Sequence, residues 1–308
     1  MLFTAGIGYV AFRYFDIPQA SMQIDSAVEK YRKAGLPWEA KELAPKPPVR
    51  AEENAAPLIR KASSALDLKL FRSSYRRIAG ELDNGKPDTA AADLAPFEKA
   101  MALGIEASKR PRVDFGRDWD MGVDLLFPEE TTVRTLVHLL GFRAELRAQR
   151  GDITGMISDV RAALRLSNLP TQEPTGIPLL ATVSSQRLVF ASIQRCGDTL
   201  QRNPAALRDL SQALEQEYRK PSFADALPGE AYMMVATVRN LELRRENESG
   251  ESIPIDPRNL RRTGAPSNPF ARAFMTRALQ EWTEAKPIID RYRDRPQKLA
   301  KELVVLDA

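Results

Sequence analysis

The sequence predicts an all-α protein, an irregular antiparallel bundle or array of helices joined by long proline-rich loops. Three observations carry that expectation. Apolar residues recur at i, i+3 and i+4 over most of the chain, the period of a helix with one buried stripe. No stretch alternates with period two for long, so a sheet lacks the pattern it needs. The periodic runs are also bounded by capping residues, glycines and prolines, which start and stop helices.

Taken in order, "SMQIDSAVEKYRKAG" places Ile24, Ala27, Val28 and Tyr31 on one face and ends at Gly35, a residue suited to a left-handed helix end. The next stretch, "GLPWEAKELAPKPPVRAEE", cannot be a continuous helix because proline lacks the backbone donor, so it is expected to lie extended, pinned by Trp38. "NAAPLIRKASSALDLKLFRSSYRRIAGEL" reads as one helix, with Asn54 as N-cap and Pro57 in its first turn. "DNGKPD" is a turn, and "TAAADLAPFEKAMALGIEASKR" a further helix closed by Pro111. After an irregular stretch, a helix beginning at Thr131 or Thr132 carries Val133, Leu136, Val137, Leu140 and Ala144. Gly151 turns the corner, and Ile153, Met156, Ile157, Val160, Ala163 and Leu164 continue the stripe. "NLPTQEPTGIP" breaks it, "LLATVSSQRLVFASIQRCGDTL" forms another helix, and "NPAALRDLSQALEQEY" follows with Pro204 in its first turn. "FADALPGEAYMMVATVRNLELRRENE" is helical, with a kink or break expected at Pro228 and Gly229. A loop over 250–268 precedes the last helix, "FARAFMTRALQEWTEAKPIIDRYRDR"; only "RVDF" and the closing "KELVVLDA" look strand-like.

The 308 residues, 43% hydrophobic and 28% charged, are those of an ordinary folded protein. Lys and Arg total 45 against 41 Asp and Glu, and runs such as "LELRRENESGE" mix the signs. Without a concentrated basic stripe, nucleic acid is an unlikely partner. A single cysteine, Cys196, rules out an internal disulfide.

The amino terminus, "MLFTAGIGYVAFRYFDIP", has no charge from Leu2 to Val10, and Tyr9, Phe12, Tyr14 and Phe15 crowd its downstream end around Arg13. A bilayer-spanning helix wants about 20 apolar residues, and this run is shorter. Residues 1–17 are therefore read as a truncated membrane anchor with interfacial aromatics. An interfacial helix and an apolar helix buried in a soluble fold are the alternatives. With no basic residues ahead of the apolar run, it does not resemble a cleavable signal. An anchor implies a membrane-anchored protein with an exported, periplasmic domain; the alternative is cytoplasmic. The remaining organisation expected is a helical region over 18–110, an irregular connector over 111–130, and a helical region over 131–308 packed on the same core.

"LRAQRGDITGMISDVRAALRLS" resembles the second half of a tetratricopeptide repeat, with Gly151-Asp152 at the corner and Ala144 and Ala163 at small-residue positions. It departs from the repeat at Met156, where a small residue is usual, and at Asn168, where a proline is usual. No second copy follows at the 34-residue period a solenoid needs. A generic corner explains the match better, because Gly151 permits a left-handed turn and Asp152 caps the next helix. More broadly, "ENAAPLIRKA" followed by "LLGFRAELRAQRGDITGMISDVRAALRLSNLP" and "EPTGIPLL" is similar to uncharacterised helical proteins of planctomycetes and related bacteria. That resemblance spans about two-thirds of the chain and implies an N-terminal anchor and an exported helical domain. It implies no reaction, since the family has no assigned activity.

Few residues invite chemistry. In "DWDMGVDLLFPEE", Asp118, Asp120, Asp124 and Glu129 fall at positions 1, 3, 7 and 12 of a calcium-loop register. Gly122 and Val123 occupy positions where that loop wants an oxygen ligand and a glycine, so an acidic surface loop ahead of a helix is the better reading, with Glu129 and Glu130 facing the helix dipole. His138, one turn from Arg134, reads as a half-buried core histidine. Cys196 has no second histidine with which to build a metal site, and Ser184-Ser185 has no nucleophile-elbow sequence around it. No phosphate-binding glycine motif is present. Trp38, Trp119 and Trp282 are read as anchors of irregular segments rather than as the lining of a groove. No catalytic, cofactor-binding or metal residue is assigned. The expectation is a membrane-tethered helical scaffold or protein-interaction domain, with a protein partner and membrane contact through the N-terminus; the alternative is a carboxylate-based hydrolase with its site between helices.

Overall fold

The computed structural model describes residues 22–246 and 269–291. Among them are twelve α-helices, a few short 3-10 turns and no β-strand, so the protein is all-α. The expectations for residues 1–17, the loop over 250–268 and the closing "KELVVLDA" lie outside the described residues. Packing groups the chain into two compact units built from non-contiguous segments. The connector expected over 111–130 is shared out between them, Arg117–Leu125 belonging to one and its remainder to the other.

The described part of the first unit comprises residues 22–44, Arg117–Leu125 and those from Ser222 onward. Its helix α1 (Ile24–Lys33) buries Ile24, Ala27 and Tyr31 and ends at Gly35, whose φ of 73° only a glycine adopts freely. Leu36 and Trp38 continue the buried stripe. They meet Leu227, Ala231, Val235 and Val238 of helix Phe223–Glu246 and Met275, Leu279 and Ile289 of helix Pro269–Arg291. The helix Phe223–Glu246 runs unbroken through Pro228, where the sequence suggested a kink or an end.

The second unit holds nine helices among the described residues: α2 (Ala56–Ala65), α3 (Leu68–Asp83), α4 (Pro87–Leu94), α5 (Glu98–Ser108), α6 (Pro128–Gln149), α7 (Ile153–Asn168), α8 (Gly176–Arg195), α9 (Gly197–Gln201) and α10 (Pro204–Glu217). The two helices of the first unit that follow are then α11 (Phe223–Glu246) and α12 (Pro269–Arg291). Where the sequence reads one helix over 54–82, the chain breaks at Leu66, whose ψ of 123° is extended. The cause is Asp67, whose carboxylate accepts from the Leu70 amide at 2.8 Å and opens α3 as its N-cap. The next expected single helix is likewise split: α4 tightens into a 3-10 turn over Ala95–Phe97, which contains Pro96, before α5 begins.

The core of this unit is built around α6 and α7. Val133, Leu136, Val137, Leu140 and Ala144 of α6 are all buried, as are Met156, Val160, Ala163 and Leu164 of α7. Gly151 turns the corner at φ 75°, and Asp152 accepts from the Gly155 amide at 2.9 Å, capping α7. Helix α8 packs on both α6 and α7, and α10 on α7.

Candidate functional site

The acidic loop is put to structural use. Its Trp119–Asp124 segment forms 3-10 turns packed on α11. The Tyr232 hydroxyl donates to the Asp120 carboxylate, and Asn240 Nδ2 donates to the Asp120 carbonyl at 2.9 Å. Gly122, at φ 58°, lets the loop backbone approach Thr237 so closely that a Cβ there would lie 2.5 Å from Thr237 Oγ1. That oxygen also accepts from the Val123 amide at 3.0 Å. Glu129 lies on α6 and is paired with Arg60 Nε at 3.4 Å. Among the described residues, no three His, Cys, Asp or Glu side chains gather where they could hold a metal ion.

The other residues singled out by the sequence go to packing. Trp38 is buried, with Tyr31 edge-on at 6.2 Å and the Arg239 guanidinium over its ring at 4.5 Å. Trp119 is buried, and Trp282 is partly buried against the first unit's core. His138 sits among the rings of Phe71, Tyr75 and Phe142, and burial pushes its pKa down to about 4, with Arg134 and Arg195 adding to the shift. Burial pushes the Cys196 thiol up to about 12. Ser184 Oγ donates to the Ala181 carbonyl at 2.9 Å, and Ser185 is buried.

The second unit also contains buried charge that the sequence did not single out. Asp159, only 1% exposed, receives Arg143 Nε at 3.0 Å and Nη2 at 2.7 Å, and Arg147 Nη1 lies 3.0 Å away. Burial pushes this carboxyl up, and the two guanidiniums oppose the shift. The fork ties α6 to α7. Glu145 is similarly buried and paired with Arg195 of α8 at 2.6 Å. Glu217 is held by Arg165 at 2.5 Å and by Arg161 at 3.8 Å. The only sequence signal for these pairs was charge inside an apolar period, which does not say which residues will meet.

The surface that stands out is on α8, because its polarity is reversed. Its buried residues are Pro178, Leu179, Thr182, Ser185, Gln186, Val189 and Ser192, more than half of them polar. Its outward residues are Ile177 (52% exposed), Leu180 (68%), Val183 (40%) and Phe190 (37%), with Arg187 among them and Gln194 and Arg195 at the helix end. At 100° per residue the outward set occupies an arc of about 140°, opposite the buried set. The inward polar groups fix neighbouring chain: Gln186 Nε2 donates to Asn168 Oδ1 at 2.9 Å and to the Arg219 carbonyl at 2.7 Å. This second bond lays the end of α10 along α8, where the Tyr218 ring meets Phe190 edge-on, centroids 5.7 Å apart. Thr175 and Thr182 hydroxyls are buried there without a hydrogen-bond partner, an arrangement that costs stability. Among the described residues α8 is also the helix long and apolar enough, by length and composition alone, to cross a membrane.

No protein family, no characterised protein and no solved structure matches this chain.

Proposed function

We propose that this chain is a membrane-tethered helical scaffold, an interaction domain held at the membrane by residues 1–17 and exported from the cytoplasm. The observation that carries the reading is the reversed polarity of α8. A helix that turns Thr, Ser and Gln inward and Ile, Leu, Val and Phe outward sacrifices part of its own burial energy, which is consistent with an outer face covered by something else. The buried carboxylates Asp159 and Glu145 support the same reading, since arginines that link helices already engage them. The tether is supported by the uncharged run Leu2–Val10 and the aromatics that follow it.

Two measurements test the proposal in the full chain. A photo-crosslinking residue in place of Leu180 is expected to give adducts in intact cells, while one at exposed Lys69 on α3 gives none. Equal or absent labelling at the two positions would reject α8 as a docking face. Fractionation is expected to leave the protein with membranes, accessible to protease from outside the cytoplasm; recovery as a freely soluble cytoplasmic protein would reject the tether.

A further inference from the structure

Building on the reading of α8 as a docking face, we infer that its occupant is the surface of an anionic lipid bilayer. The charge on the face points that way. The twenty residues of α8 contain no Asp or Glu, and of its two arginines Arg195 is paired with Glu145, which leaves Arg187 as the basic residue of the face. Arg187 lies within the outward arc, between Val183 and Phe190, and exposed Arg219 follows Tyr218 directly. The nearest acid on that segment, Glu217, is half-buried and already held by Arg165 and Arg161. The face therefore offers apolar side chains with basic ones set among them, the composition of a helix lying in a membrane interface.

Its shape and chemistry suit lipid better than protein. From Ile177 to Phe190 the stripe runs about 20 Å along one helix, enough to rest in the headgroup boundary with its apolar groups dipping below it. The Phe190–Tyr218 pair supplies the aromatic anchor favoured at that depth. A protein interface needs a directional hydrogen bond for every 100–200 Å² or so of its area. From Ile177 to Phe190 the most exposed groups of the arc, Arg187 apart, are aliphatic and aromatic and make none, whereas acyl chains demand none.

The test uses the full chain with Val183→Cys, labelled with an environment-sensitive fluorophore, and Lys69→Cys as the control. Native Cys196 is 2% exposed with its thiol held protonated, so it stays unlabelled in the folded protein. Vesicles of phosphatidylcholine mixed with phosphatidylglycerol are expected to shift the emission at position 183 to the blue, and not at position 69. Phosphatidylcholine alone is expected to leave both unchanged. Arg187→Glu, at an exposed site and with its fold checked by circular dichroism, is expected to raise the half-maximal lipid concentration about tenfold. Equal shifts with both lipids, or an unaltered response in Arg187→Glu, would overturn the assignment of an anionic surface. No shift with either vesicle, while a crosslinker at position 180 captures a protein or a second copy, would overturn the bilayer and leave the docking face standing. No shift and no adduct would overturn both.

Discussion

Asp159 and His138 show how little of this protein's unusual chemistry is free to react. Asp159 sits at 1% exposure in the fork of Arg143, and removing it leaves that buried guanidinium with only Glu98, at 3.4 Å, as its acidic partner. Breaking a buried pair from one side costs about 3–5 kcal/mol, so Asp159→Ala is expected to lower unfolding free energy by that order in urea titrations. A loss under about 1 kcal/mol would mean that the pair is solvated in solution. His138 works through its neutrality. The fold holds its imidazole neutral down to about pH 4, against an ordinary value of 6.5. Between those pH values the unfolded chain binds the extra proton, so stability falls as pH drops from 6.5 to 4 and levels off below. The contribution is about 2 kcal/mol after allowing for the ring's partial exposure. His138→Phe is expected to remove that slope, read as the urea midpoint at pH 7, 5.5 and 4. An imidazole titrating near 6.5 in the wild-type NMR spectrum would contradict the assignment. Cys196 is expected to react with a disulfide reagent only on unfolding, because a thiol raised to about 12 has almost no thiolate at neutral pH.

At the scale of elements, single polar residues decide where helices end. Asp67 divides one long periodic run into α2 and α3, and its replacement by alanine is expected to cost about 1 kcal/mol. Gly122 decides how the acidic loop meets α11. A methyl group there would collide with Thr237 Oγ1 at 2.5 Å and the Thr237 amide nitrogen at 2.7 Å, on a backbone at φ 58°. Gly122→Ala is therefore expected to destabilise the protein by about 2 kcal/mol or more, and adding Thr237→Ala should recover only part of that, since the backbone clash remains. Full recovery in thermal unfolding would place the strain in the side chain alone. Each of these residues was visible in the sequence, but as a weaker signal than the apolar period around it. Asp67 sits inside a run whose spacing reads through it, and Gly122 counted in the sequence only as a mismatch to a calcium loop. Pro228 errs in the other direction, because a strong local breaker is accommodated within a helix whose apolar flank is buried.

For the molecule as a whole, the chain's local rhythm was enough to establish the helical class, the α6–α7 corner at Gly151 and most of the core residues around it. These rest on side chains three or four positions apart, so the sequence alone determines them. The grouping of the segments does not. Residues 22–44, Arg117–Leu125 and those from Ser222 onward come together across long stretches of chain, and no local period encodes which distant stripes will match. The same limit hid the Arg143–Asp159 fork, whose members are sixteen residues apart on separate helices. It also hid the face of α8, where the sequence reads a helix but not which of its residues tertiary packing turns outward. The period says that a helix has two different sides; which side is buried is decided by the neighbours it packs against, and on α8 they took the polar one.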